Sequence, residues 1–307
     1  MWVLLAFVSA FFLGFYDISK KKSLEGNAVL SVLFCNTIFC ALIFLPFIIV
    51  SNAAPQLVHG SIFNASLQSI YSDMPNILPL KAHLLVVLKA FIVLSSWIMG
   101  YYALKHLPIT IAGPVNATRP VIVLVGAVLL MGEKLNLLQW CGVALSLFSL
   151  FLLSLSGKKE GIDFRNNKWI VILFGAVLMG AVSGLYDKFI MKHLPPLFVQ
   201  SWFNIYQVGI MGTVLLVMNR YTTAKFEWRW WIPMISLFVS VADFAYFYAL
   251  SYDDALIAVI SMIRRGSVIV SFTAGALMFR EKNLKSKALD LVLILAGLVL
   301  LCIGSIK

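Results

Sequence analysis

Four basic residues stand where a basic residue is costly. Lys89, Arg119, Arg264 and Arg265 each lie inside an apolar run long enough to cross a bilayer. A charge at mid-bilayer costs about 2.5–3.5 kcal/mol on insertion scales, so such a residue faces a polar cavity or pairs with an acid. Arg119 sits between Pro114 and Pro120, with Asn116 three residues earlier on the same helical face. Two prolines free backbone carbonyls and kink a helix, which suits the wall of such a cavity. The chemistry on offer is recognition, because a guanidinium presents a fork of N–H donors to a carboxylate or phosphate. The competing reading is a structural pair between Arg119 and an acid on another helix. Arg264 and Arg265 have Ser261 near them at helical spacing. Asp243 is the obvious acid within an apolar run, with Tyr246 at i+3. A pair between Asp243 and either Arg264 or Arg265 would hold two helices together, and protonation would release it. Lys89 stands about two turns into its run, near enough to one end to snorkel. Tyr16 and Asp17 end one run, and Tyr186 and Asp187 end another, where gating and plain solvation or salt bridging are both open.

The elements that must position these residues are membrane helices. Of 307 residues, 61% are hydrophobic and 12% charged, and the mean hydropathy is +0.95. A soluble domain carries about twice that charged fraction, so a non-aqueous solvent is required. A net charge of +11 might suggest nucleic acid, but Lys and Arg mostly fall between apolar runs. That placement fits membrane orientation and anionic headgroups, and excludes a nucleic-acid partner. A span needs about 20 apolar residues, and ten candidates fit: 2–19, 28–50, 83–104, 108–132, 137–156, 169–190, 197–219, 230–250, 255–279 and 286–305. Open strands would leave backbone groups unsatisfied in lipid, so all are expected to be helices. Trp2, Trp140, Trp169, Trp228, Trp230 and Trp231 fall near span ends, as interfacial belts do. The longest connection is the polar stretch 51–82. Cys35, Cys40, Cys141 and Cys302 stand singly in apolar runs, as small core residues with no metal or redox pattern. HExxH, GxSxG, P-loop and GxGxxG strings are missing, so the expectation is a non-enzyme without cofactor.

The chain repeats itself. GFYDISKKKSL (Gly14 to Leu24) parallels GLYDKFIMKHL (Gly184 to Leu194) at an offset of 170. YYALKHLP (Tyr101 to Pro108) parallels FYALSYDD (Phe247 to Asp254) at an offset of 146, which also places Arg119 on Arg265. GEK (Gly132 to Lys134) parallels REK (Arg280 to Lys282). Three matches in one order define two halves, 1–156 and 169–307, of five spans each. An odd number of spans makes the second half enter from the opposite face, so the repeats are inverted. Inverted repeats build alternating-access transporters with the site at their interface. Arg119 and Arg265 could then face each other across the pseudo-axis, repelling unless an anion or acids intervene.

The order of these strings resembles the drug/metabolite transporter superfamily, EamA type. The resemblance rests on YALKHLPITIAGPV (Tyr102 to Val115), LLMGEKLNLLQWCGVAL (Leu129 to Leu145) and ALMFREK (Ala276 to Lys282), and it covers essentially the whole chain. It implies ten helices, two internal repeats and a central cavity lined by helices 1, 3, 4, 6, 8 and 9. Trp97, Tyr101, Tyr102 and Tyr248 would then line the cavity ends of helices 3 and 8, in contact with cargo or as plain packing. Helices 5 and 10 would be scaffold, which makes Asp290, and Glu133 and Glu281 at helix ends, structural. Cargo is not implied, because members move amino acids, nucleotide sugars, sugar phosphates and drugs.

Charge placement bears on orientation. Loops after helices 1, 3, 5, 7 and 9, with the adjoining span ends, hold 15 of the 24 Lys and Arg, the opposite loops and span ends 5. The positive-inside rule puts both termini outside the cytoplasm, whereas the resemblance implies cytoplasmic termini. The expectation is a multi-pass protein of a bacterial inner membrane, monomer or homodimer, moving a small polar metabolite. An amino acid or related anionic or zwitterionic compound is the expected cargo, with protons or ions as coupling partners. A multidrug cation exporter, and a non-transporting receptor or enzyme, are the alternatives.

Overall fold

The computed structural model describes residues 2–53, 80–122, 136–158, 164–191, 193–218, 225–252, 260, 263–279 and 284–305. Most of the polar stretch 51–82, the GEK and REK strings, Glu133, Ser261 and Glu281 lie outside them. Among the described residues all regular structure is helical. In chain order the helices are α1 Trp2–Leu24, α2 Val29–Ala53, α3 Leu80–His106, α4 Ile109–Ala117, α5 Leu137–Lys158, α6 Lys168–Met191, α7 Pro196–Met218, α8 Trp231–Leu250, α9 Ser267–Leu277 and α10 Leu284–Ser305. Seven of them, α1 to α3 and α5 to α8, are long and apolar enough to cross a membrane. The described stretches of α4 and α9 are 9 and 11 residues, shorter than a span.

Burial is organised for lipid outside and small or polar groups inside. Leu4, Phe7 and Phe11 on α1, Leu84, Leu88 and Phe91 on α3, and Leu147 and Phe151 on α5 recur at helical spacing and are exposed. Ser9, Asn36, Ser146, Ser149, Gln207 and Ser236 are buried. Small residues let backbones approach, which drives helix association where lipid tails compete for apolar contact. Gly142 on α5 and Gly297 on α10 show it: a Cβ at 142 would lie 2.7 Å from the Gly297 carbonyl oxygen. The same pair of helices is tied by Ser149, which donates to the Asp290 carbonyl, and by Ser156, which donates to Asp290 Oδ2 at 2.9 Å. Asp290 therefore joins α10 to α5. Cys141, in contrast to the core role expected for it, is exposed.

Connections are short and pinned by side chains. The chain leaves α1 through Gly26 at φ 66°, a left-handed turn that suits glycine. Asn27 then caps α2 and accepts from Glu227 N at 3.0 Å, while its Nδ2 donates to the Glu227 carbonyl at 2.7 Å. One side chain thus ties the α1–α2 turn to the approach to α8.

The dominant helix pairings are α5 with α10, α1 with α8, α3 with α6, and α2 with α7, followed by α3 with α7, α2 with α8, α1 with α9 and α4 with α9. Exchanging each helix for the one five places along returns all of these except α1–α9, whose image is the weaker α4–α6 pairing. The α1–α8 pairing becomes α6–α3, and α2–α7, α4–α9 and α5–α10 map onto themselves.

Candidate functional site

Both helices that carry the arginines break beside them. In α4, Pro120 has no N–H to give to the carbonyl of Asn116. The helix is interrupted at Thr118, whose N–H bonds back to Val115 O at 3.2 Å, a tightened i to i−3 contact, and it resumes over Arg119–Ile122. Arg119 is the next residue, and Asn116 lies in the last turn before the break. The kink expected from Pro114 and Pro120 is therefore present, as a break located at Thr118. A second interruption falls at Gly266, whose N–H bonds to Ile263 O at 2.9 Å before α9 begins. Arg264 and Arg265 immediately precede it. The glycine was the available signal for this break, but glycine is too common in membrane helices to identify one by itself.

The three guanidiniums lie within electrostatic range of one another. Arg264 pairs with Asp243 of α8 and stacks on the Tyr246 ring, with its carbon 4.0 Å from the ring centroid. Of the two partners open to Asp243, the structure selects Arg264. Arg119 lies against α6 at Gly180, where a Cβ would overlap its guanidinium. Glycine at 180 therefore makes room for Arg119 at the helix surface. Arg119 and Arg265 are within electrostatic range of each other, of Arg264, of Tyr246 and of Asp17. Neither pairs with a carboxylate among the described residues, and the Nε of each arginine is buried without a partner there.

Around this centre lie two further ion pairs. Lys89 of α3 pairs with Asp187 of α6, and its ammonium lies 4.9 Å and 4.8 Å from the ring centroids of Phe203 and Phe247. Lys89 is 2% exposed, so it does not snorkel to a membrane surface: the acid on α6 and two aromatic faces hold it inside the bundle. Asp187 in turn lies within electrostatic range of Asp243 and Arg264. Asp17 pairs with Lys20 at 2.9 Å, and the Lys20 ammonium lies over both the Tyr16 and Tyr101 rings. The positions expected to end helices do not: α1 runs on to Leu24 and α6 to Met191, leaving Tyr16, Asp17, Tyr186 and Asp187 inside helices. The aligned Asp17 and Asp187 take different partners, one in its own helix and one across the bundle.

The remaining aromatics are held by packing. Trp97 joins two apolar clusters, and Tyr102 packs against one of them. The Tyr248 ring lies 4.7 Å from that of Phe244. Tyr186 donates to the Leu85 carbonyl at 3.1 Å, which ties α6 to α3. Two lysines escaped the sequence reading. Lys20 and Lys287 count there as loop charges, yet both are buried, and Lys287 donates to Thr110 Oγ1 of α4 at 3.0 Å. A second buried polar group lies between α2 and α8, where Ser236 donates to Asn36 Oδ1 at 2.9 Å. No group of three metal-ligating side chains occurs among the described residues.

The model of the EamA-like transporter family matches residues 1–155. No curated protein matches the chain. A crystal structure, described only as that of a protein, is similar at 16% identity with a TM-score of 0.61, covering 97% of this chain and 95% of its own. At that identity the likeness bears on fold alone.

Proposed function

The chain belongs to the EamA-like transporter family, and on that footing we propose that it is a secondary active transporter of a small polar metabolite, anionic or zwitterionic, working by alternating access. It is an integral multi-pass membrane protein, and the membrane proposed is a bacterial inner membrane. Its helices form two inverted five-span repeats, 1–156 and 169–307, with the substrate between them. Support for the repeats comes from the aligned strings and from a pairing pattern that largely survives exchange of the halves.

One observation carries the site: Arg119 and Arg265, aligned in the sequence, stand beside helix interruptions, within electrostatic range of each other and without a carboxylate partner among the described residues. Breaks of this kind in membrane helices tend to line substrate sites, because unpaired backbone is tolerated there only within protein or a wet cavity. The cation-exporter reading needs an available acid, and Asp243 is already engaged by Arg264. Arg119→Ala should lower flux of the cognate metabolite in proteoliposomes by at least about a hundredfold, through loss of a charge-assisted contact made in a poorly solvated site. The same variant should remain monodisperse in detergent. Unchanged flux would remove Arg119 from the site.

A further inference from the structure

Resting on the transporter reading, we propose that the substrate is a dianion, a dicarboxylate or a phosphate monoester, rather than a zwitterion or a monoanion. The inference comes from charge pairing within the cluster. Among the described residues, five cationic side chains meet three carboxylates there. Asp17 takes Lys20, Asp187 takes Lys89 and Asp243 takes Arg264. Arg119 and Arg265 remain, each within range of the other.

Three consequences separate the candidate charges. Two unmatched guanidiniums in a poorly solvated site repel, and one negative charge leaves one of them uncompensated. A zwitterion brings an ammonium, which needs an acceptor carboxylate, and all three carboxylates are occupied. A dianion neutralises both arginines and disturbs none of the three existing pairs. A fork-shaped acid suits this arrangement: Gly180 makes room for the Arg119 guanidinium against α6, and the unpartnered Nε atoms leave donor capacity unused.

The test uses the purified full-length chain in proteoliposomes at mildly alkaline pH, with counterflow of labelled malate, inorganic phosphate, lactate and alanine. Malate or phosphate should be carried at least about tenfold faster than lactate or alanine, the scale set by one charge-assisted contact. Malate without phosphate identifies a dicarboxylate carrier, and phosphate without malate a phosphate-group carrier. Arg265→Gln should invert the preference toward lactate, a gain that a misfolded protein cannot produce. Arg265→Lys, which keeps the charge, should restore the preference for the dianion. Transport of alanine or lactate in preference to both dianions overturns the dianion assignment and leaves the transporter reading standing. Flux of none of the four above empty liposomes, by protein that remains monodisperse, overturns both.

Discussion

At the scale of single residues, the site is a set of charges that limit one another. The Lys89–Asp187 pair is the most deeply buried of them, and removing one partner leaves the other stranded. Such a break costs about 3–5 kcal/mol, whereas replacing both partners with apolar groups of similar size is often neutral. Asp187→Asn should therefore lower the thermal midpoint of the detergent-solubilised protein clearly, and Lys89→Met combined with Asp187→Leu should recover much of the loss. If the single and double variants melt alike, the pair carries no coupling. Arg119, Arg264, Arg265 and Asp243 were legible in the sequence because each interrupts an apolar run. Lys20 and Lys287 were not, since both lie where a run gives way to polar residues and look like loop charges. Lys89 and Asp187 were both found, but not as partners: nothing in a linear sequence says that α3 and α6 are neighbours.

At the scale of helices, what matters is where a helix is allowed to stop and how closely two can approach. The α4 break was legible because proline withholds an N–H, a local chemical fact. The interruption at Gly266 became visible only once Ile263 O was seen to receive the glycine N–H. The α5–α10 crossing is set by Gly142 facing Gly297, where a side chain has no room. Gly142→Leu should destabilise the protein by about 1–3 kcal/mol or more through overpacking, measured as a lower thermal midpoint. Because the nearest atoms to a Cβ at either glycine belong to α5 and α10, the surviving folded fraction should keep its substrate preference. A changed preference would mean that α5 and α10 shape the site and are not only scaffold.

At the scale of the whole molecule, the membrane-helix class followed from hydropathy alone, and the proposed two halves rest on aligned strings. Orientation is the point on which sequence rules diverge. With 15 basic residues on one side against 5 on the other, the charge rule places both termini outside the cytoplasm. A reporter active only in the cytoplasm, fused at Lys307, should therefore be silent, and an active fusion would reverse the assignment. Pairing between helices could not be read from the sequence, because apolar helices in lipid are selected by small contacts such as Gly142–Gly297 and buried bonds such as Ser149 to Asp290. Those contacts have a further consequence. The strongest pairings, α5–α10, α1–α8, α3–α6 and α2–α7, all cross from residues 1–156 to residues 169–307. Each buried apolar cluster among the described residues draws on both stretches. The expected consequence is that the two stretches fold together, as two subunits of a tethered dimer would. A chain cut between α5 and α6 should regain its form only when both pieces enter the same bilayer.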